Sequence, residues 1–280
     1  MSNEIIMTGF SGLDKVLGGL RPGTLNVISG RPAVGKTGLA LNIAMNVAKT
    51  SGKAVLYYSL EMGRDEIVQR LLKSELTYSC ETDAGESIKT ILNGLEDLPI
   101  YIDECIDLTP KRLTERFDAL LADKIEVGMV IVDYLELLNC DEESFELFPV
   151  ISNDLSSRDR AKVVACMALK EFAVKHQIPV IVLAQVSKAA DNRENHLPEL
   201  SDLRYEVTLW VESVVFIVRS AYYVDDSKSN ADVVGRDRDA KLIVAKNSYG
   251  ESDVSITVRW HIRTASFTDT DSEPQYLKQE

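Results

Sequence analysis

The chain has 280 residues, 45% hydrophobic and 27% charged, a composition for one substantial buried core rather than a disordered or fibrous chain. Its 31 Lys and Arg against 44 Asp and Glu leave a net charge of −13, so any polyanion contact needs a local basic groove, effective only over the screening length of about 8 Å at physiological salt. The four cysteines (Cys80, Cys105, Cys140, Cys166) form no C-x-x-C pair, the three histidines are scattered, and neither a signal peptide nor a membrane-length apolar run is present, which together point to a cytoplasmic protein without a cage of metal ligands.

In chain order, apolar runs of strand length begin at Leu25 ("LNVISG"), Val55 ("VLYYSL"), Pro99 ("PIYIDE"), Met129 ("MVIVDYL") and Pro179 ("PVIVLAQV"). Each is rich in β-branched residues and apolar on both faces, as in strands buried within a parallel sheet. Between them lie helical patterns. The first carries an apolar stripe of Leu39, Ala40, Ile43, Ala44, Val47 and Ala48 and stops at Gly52. Others run from Asp65 to about Glu75, Lys111 to about Ala122 and Lys162 to about His176. The alternation predicts a doubly wound α/β fold. After Asp202 three strands follow without helices, at Val214, Lys241 and Ser252, and extend the sheet partly antiparallel. The stretch from Val224 and the polar tail after Phe267 read as segments without regular structure, giving one domain over 1–266 and a tail over 267–280. The connection from Cys140 to Arg160 is long for a compact domain, which marks it for function.

The stretch "SGRPAVGKTGLALNIA" contains Gly30, Arg31, Pro32, Ala33, Val34, Gly35, Lys36, Thr37 and Gly38, the G-x-x-x-x-G-K-[ST] pattern of a phosphate-binding loop. It follows a predicted strand and opens a predicted helix, the context that such a loop requires. Backbone N–H groups from Ala33 to Thr37 are placed to cradle phosphates at the positive end of a helix, Lys36 to reach the β- and γ-phosphates, and Thr37 to hold Mg²⁺. Asp133 closes an apolar strand, where ligands bind in open α/β sheets, and is the natural second Mg²⁺ anchor. Glu61 ends the strand after the first helix. On position alone it is equally a base for an attacking water or a surface carboxylate. Gln185 closes another apolar strand and either senses a γ-phosphate or satisfies a loop.

Taken together, "TGFSGLDKVLGGLRPGTLNVISGRPAVGKT", "SLEM", "VIVDYLELL", "PVIVLAQVSK" and "LPELSDLR" resemble the ATPase domain of DnaB-type replicative helicases, from about Thr8 to Trp260. The resemblance implies a RecA-like core that binds ATP and Mg²⁺, with Glu61 as catalytic base, Asp133 as the Mg²⁺-linked acid and Gln185 as γ-phosphate sensor. It implies a hexameric ring on single-stranded DNA, with each ATP site completed by a neighbour's Lys and Arg. In the matching stretch, "AKNSYGES", Lys246 is kept and Ser248 stands at the arginine position. An arginine finger can be worth about 10³ to 10⁵ in rate. Arg219 and Arg236 are the candidate substitutes.

Two more features depart from the pattern. The DNA-facing loop keeps Asp202 and Arg204 but places Tyr205, Glu206 and Val207 where small residues are expected. Arg204, Lys188 and Arg193 remain candidate backbone contacts, or solvated loop charges. Few residues precede Thr8, so the family's N-terminal helical domain, and the primase docking tied to it, are not expected here. The sequence thus favours an ATP-hydrolysing helicase motor. The alternative is a degenerate module that binds ATP and acts as a loader or regulator without unwinding.

Overall fold

The computed structural model describes residues 4–81, 88–148, 156–203, 207–219, 239–270 and 272–277. In chain order these form α1 (Ser11–Leu17), β1 (Leu25–Gly30), α2 (Lys36–Ser51), β2 (Ala54–Ser59), α3 (Arg64–Glu81), α4 (Ile88–Glu96), β3 (Ile100–Asp103), α5 (Pro110–Ala122) and β4 (Val127–Asp133). There follow α6 (Glu142–Leu147), α7 (Ser157–His176), β5 (Val180–Gln185), β6 (Ser213–Arg219), β7 (Asp239–Asn247), β8 (Val254–His261), β9 (Ser266–Asp269) and β10 (Gln275–Tyr276).

One ten-stranded sheet runs in the order β10-β8-β7-β6-β1-β5-β4-β2-β3, with β9 added on β8. The block from β6 to β3 is parallel. Strands β7 to β10 are antiparallel additions. Strands β1, β2 and β4 are buried at every position because both faces of the sheet are covered. Alternate side chains feed two cores. On one face Ile28, Tyr57, Ile131 and Leu183 pack with Leu39, Ile43 and Val47 of α2 and Leu13 of α1. On the other, Val27, Tyr58, Val132 and Val182 pack with Leu113 and Phe117 of α5 and Leu169 and Phe172 of α7.

Local chemistry sets the helix ends. Helix α2 stops at Gly52, which takes the left-handed conformation at φ 65°. Helix α5 starts where the Thr109 side chain accepts from the Arg112 N–H with Pro110 in the first turn. Helix α7 starts at Ser157 rather than near Lys162, because Ser156 caps it. The long connection after Cys140 holds α6, capped by Asp141 accepting from the Ser144 N–H. The stretch expected to be irregular from Val224 lies outside the described residues through Arg238.

The expected tail from 267 onward is corrected by the structure. Strand β9 pairs with β8 in the register Trp260↔Phe267, and β10 pairs with β8 further along. Phe267 is 2% exposed, its ring 4.7 Å from that of Trp260, and its N–H donates to Asn42 Oδ1 at 2.8 Å. Strands this short carry no readable period, so only their long-range partners reveal them.

The β8–β9 hairpin braces the start of α2. A Cβ on Gly38 would stand 2.2 Å from the carbonyl oxygen of Ala265. Alanine in a helix normally gains about 1 kcal/mol over glycine. Here the clash with backbone outweighs that gain, since overpacking costs about 1–3 kcal/mol. Gly38→Ala is therefore expected to lower the melting temperature by several degrees. A rise would show that the hairpin yields.

Candidate functional site

The carboxyl ends of β1, β5, β4 and β2 lie side by side, and the residues singled out by sequence follow from them. Gly30 pairs with Gln185, and Ser59 pairs with Asp133. After Gly30 the chain turns through Arg31, Pro32, Ala33 and Val34 to Gly35. Ala33 (φ 58°) and Gly35 (φ 114°) both take left-handed backbone. Gly35 is needed twice over, because a Cβ there would also strike Trp260 and Phe267 within 3 Å. No side chain caps α2, so its first N–H groups and its positive dipole end face the loop.

Lys36 is 9% exposed and its Nζ donates to the carbonyls of Gly30 and Arg31, both at 3.1 Å. Burial pushes its pKa down, opposed by Glu136, Asp133 and Glu61 in that order, while Arg31 adds to the lowering. Asp133 is 5% exposed; its Oδ2 accepts from the Thr37 hydroxyl at 2.8 Å and from the Tyr57 hydroxyl at 2.7 Å. Burial raises the Asp133 pKa against the pull of those two hydroxyls and of Lys36. Hard oxygen donors from Thr37 and Asp133 held together beside a cradle of N–H groups are a set that suits Mg²⁺. Glu61 sits in the exposed bend after β2, and its charge acts on both Lys36 and Asp133. Its backbone is fixed by the Leu60 N–H donating to the Asp133 carbonyl at 2.8 Å.

The structure therefore brings Gly30 to Gly38, Asp133, Glu61 and Gln185 to one edge. The Arg31 side chain is engaged there with Asp191 at 2.7 Å, which ties the phosphate loop to the segment after β5. Arg219, at the end of β6, stacks its guanidinium over Trp260 at 4.4 Å from the ring centroid. Arg236 is outside the described residues.

Lys246 is not part of this cluster. It pairs with Val214 at the start of β6, and β6 starts beside Asn26 near the start of β1. Lys246 thus stands at the opposite edge of the parallel block from the phosphate loop. Its Nζ donates to the carbonyls of Thr208 and Val211 at 2.6 and 2.7 Å. At the same edge the Ser248 N–H donates to the Glu212 carbonyl, and Arg21 lays its guanidinium over the Tyr249 ring.

Of the candidate nucleic-acid contacts, Arg204 lies outside the described residues. Lys188 is exposed at the start of a 3-10 turn, Lys188–Asn192. Arg193 is engaged within the fold. Its guanidinium grips Asp202, with one hydrogen bond at 2.9 Å, and reaches Glu199 at 3.2 Å. Burial works against the Asp202 charge, but the hydrogen bonds from Arg193 and Glu199 hold its carboxyl below the ordinary range.

Sequence reasoning missed two polar groups at the site. Tyr57 was absorbed into an apolar strand, although a buried tyrosine hydroxyl has to find a partner. Glu136 lies in a 3-10 turn, Leu135–Leu137, just after β4. Its Oε1 accepts from the Gln185 N–H at 2.8 Å, and its Oε2 is buried with no hydrogen-bond partner. A second carboxylate set among leucines three residues after Asp133, in the run "DYLELL", was the available signal.

Fold and sequence motif together define a RecA-like α/β domain with a phosphate-loop motif between β1 and α2. The chain belongs to the family of DnaB-like helicase C terminal domains, whose model matches residues 6–269. It is 31% identical over 256 residues to the replicative DNA helicase DnaB of Leifsonia xyli subsp. xyli (strain CTCB07), covering 88% of this chain and 52% of that protein. It is 30% identical over 283 residues to a probable plasmid replicative DNA helicase of Chlamydia psittaci, covering 93% of this chain and 55% of that protein. The chain thus spans about half the length of these curated relatives. A solved ATPase domain superposes with a TM-score of 0.77 at 23% identity, covering 96% of this chain and 93% of that one. A DnaB-like replicative helicase, solved with its interactions with primase, superposes with a TM-score of 0.78 at 22% identity, covering 97% of this chain and 63% of that one. That likeness lends no support to the expectation that primase docking is absent. No helix among the described residues is long and apolar enough to cross a membrane.

Proposed function

We propose that this chain is the ATP-hydrolysing motor of a replicative helicase, working as a hexameric ring that moves on single-stranded DNA. The observation that carries the reading is the Thr37–Asp133 pair at 2.8 Å beside the phosphate loop, with Lys36 in the same cradle. In this reading Lys36 leaves the Gly30 and Arg31 carbonyls for the β- and γ-phosphates. Thr37 and Asp133 hold Mg²⁺, which neutralises charge on the phosphates when bound. Glu61 accepts the proton of the attacking water, and Gln185 reports on the γ-phosphate from the end of β5. Lys246 leaves the Thr208 and Val211 carbonyls for the nucleotide of the next copy, since its own phosphate loop is at the other edge of the sheet. Ser248 lacks a guanidinium, and Arg21 on Tyr249 is the arginine presented at that edge. The acidic balance of the chain leaves DNA contact to local groups, Lys188 and Arg204 among them.

The test is the steady-state ATPase rate with and without single-stranded DNA. Stimulation of about tenfold or more, falling as salt rises, is expected of a motor whose strand reaches the catalytic edge. A slow rate indifferent to DNA would overturn the motor reading in favour of an ATP-binding loader or regulator.

A further inference from the structure

Glu136 is set apart by three observations. Its Oε1 accepts from the backbone N–H of Gln185, the residue that closes β5 and pairs with Gly30 of the phosphate loop. Its Oε2 is buried and has no hydrogen-bond partner. Its charge, with those of Asp133 and Glu61, opposes the effect of burial on the Lys36 ammonium. A carboxylate left with one lone-pair set unsatisfied inside a protein is costly, and a nearby buried ammonium offsets that cost.

The surroundings of Glu136 are asymmetric. Lys36 faces it from α2 and Lys162 from α7, and both lower its pKa against the larger raising effect of burial. Lys162 is itself held by the Leu138 carbonyl. The Cys166 thiol of α7 feels the Glu136 charge and is pushed up to about 12, mainly by burial, so it stays neutral. Both ammonium groups donate to backbone carbonyls, Lys162 to that of Leu138 and Lys36 to those of Gly30 and Arg31, and of the two it is Lys36 that stands in the phosphate-loop motif.

We propose that Glu136 is a positioning residue of the nucleotide site: it anchors the end of β5 through the Gln185 amide and competes with phosphate for Lys36. This rests on the reading of the loop as a nucleotide site. When phosphate takes Lys36, Glu136 loses its counter-charge while keeping its grip on β5. Occupancy of the loop is thereby felt at the strand end that carries Gln185. Neither Glu136 nor its grip on the Gln185 amide depends on a ring, so the binding measurement can be made on the chain alone.

Two variants separate the charge from the anchor. Glu136→Gln keeps an oxygen for the Gln185 N–H and removes the charge. Glu136→Met removes both at similar volume. Binding of Mg·ADP is measured by calorimetry at about pH 8 and about pH 5.5, with Lys36→Ala as control. Both Glu136 variants should tighten binding at the higher pH by about three- to tenfold, the scale of removing one unit charge near another across a half-buried site. Burial raises the Glu136 pKa, so the wild-type carboxylate itself takes up a proton as pH falls, and the difference between wild type and Glu136→Gln should shrink. A purely structural role would not give that pH signature. Turnover should drop in Glu136→Met and be preserved in Glu136→Gln. Unchanged or weaker binding in Glu136→Gln, or a pH-independent factor, overturns the proposal while Lys36→Ala still abolishes binding. If Lys36→Ala binds normally, the nucleotide-site reading itself has failed.

Discussion

Lys36→Ala is expected to bind Mg·ATP at least about a hundredfold more weakly than the wild-type chain, yet to fold. The size follows from the hydrogen bonds that the truncation removes. Charge-assisted hydrogen bonds are worth about 1.5–3 kcal/mol each, and a lysine bridging two phosphates makes more than one, which gives a factor of about 10² to 10³. Folding survives because burial already disfavours the Lys36 charge in the chain by itself. Its ammonium donates to the Gly30 and Arg31 carbonyls at 3.1 Å, and the second of these bonds lies in a half-buried part of the loop, where water can replace it. The two properties are read in one experiment, a thermal melt with and without nucleotide. Ligand at about a hundred times its Kd stabilises the native state by about 2.7 kcal/mol. The wild type should show that shift and Lys36→Ala should not, with similar melting temperatures in the absence of nucleotide. An equal shift in both would place the phosphates somewhere other than this loop.

Glu61→Gln is expected to give the complementary result, with binding kept and turnover lost by a factor of about 10² to 10⁴, the usual worth of a positioned general base. Glu61 is exposed at the end of β2, yet its backbone is not loose, since the Leu60 N–H is fixed to the Asp133 carbonyl and the Ser59 hydroxyl to the Met62 carbonyl at 2.6 Å. Glutamine conserves the shape and removes the basic oxygen. Single-turnover hydrolysis, with binding measured in parallel, separates the two effects. Retained turnover would make Glu61 a surface carboxylate and pass the role of proton acceptor to another group.

The clustering of Gly30 to Gly38 with Asp133 at one edge of the sheet was legible because its requirements are local. A loop that wraps phosphate needs left-handed backbone at Gly35, a lysine and a hydroxyl at fixed spacing, a strand before and a helix after. Asp133 and Gln185 were legible because a polar residue ending an apolar strand stands out. The inner parallel strands β1, β2 and β4 were readable because they are buried on both faces and so mostly apolar. What stayed hidden depends on neighbours distant in sequence. Phe267 reads as the start of a polar tail until Trp260 and Asn42 are seen against it. Arg193 reads as a loop cation until Asp202 occupies its guanidinium. Lys246 reads as free to reach another molecule until the Thr208 and Val211 carbonyls are found on its ammonium. In each case the residue type was informative and its partner was not.

Lys36 and Lys246 lie at opposite edges of one rigid sheet, separated by the length of its parallel strands. No rearrangement short of unfolding that sheet brings both to one nucleotide in one molecule. A reaction that uses both lysines is therefore not first order in chain. At dilution its specific rate must fall with concentration. A mixture of two inactive variants, one altered at each lysine, must regain activity in the fraction of pairings where an intact edge of one copy meets an intact edge of the other.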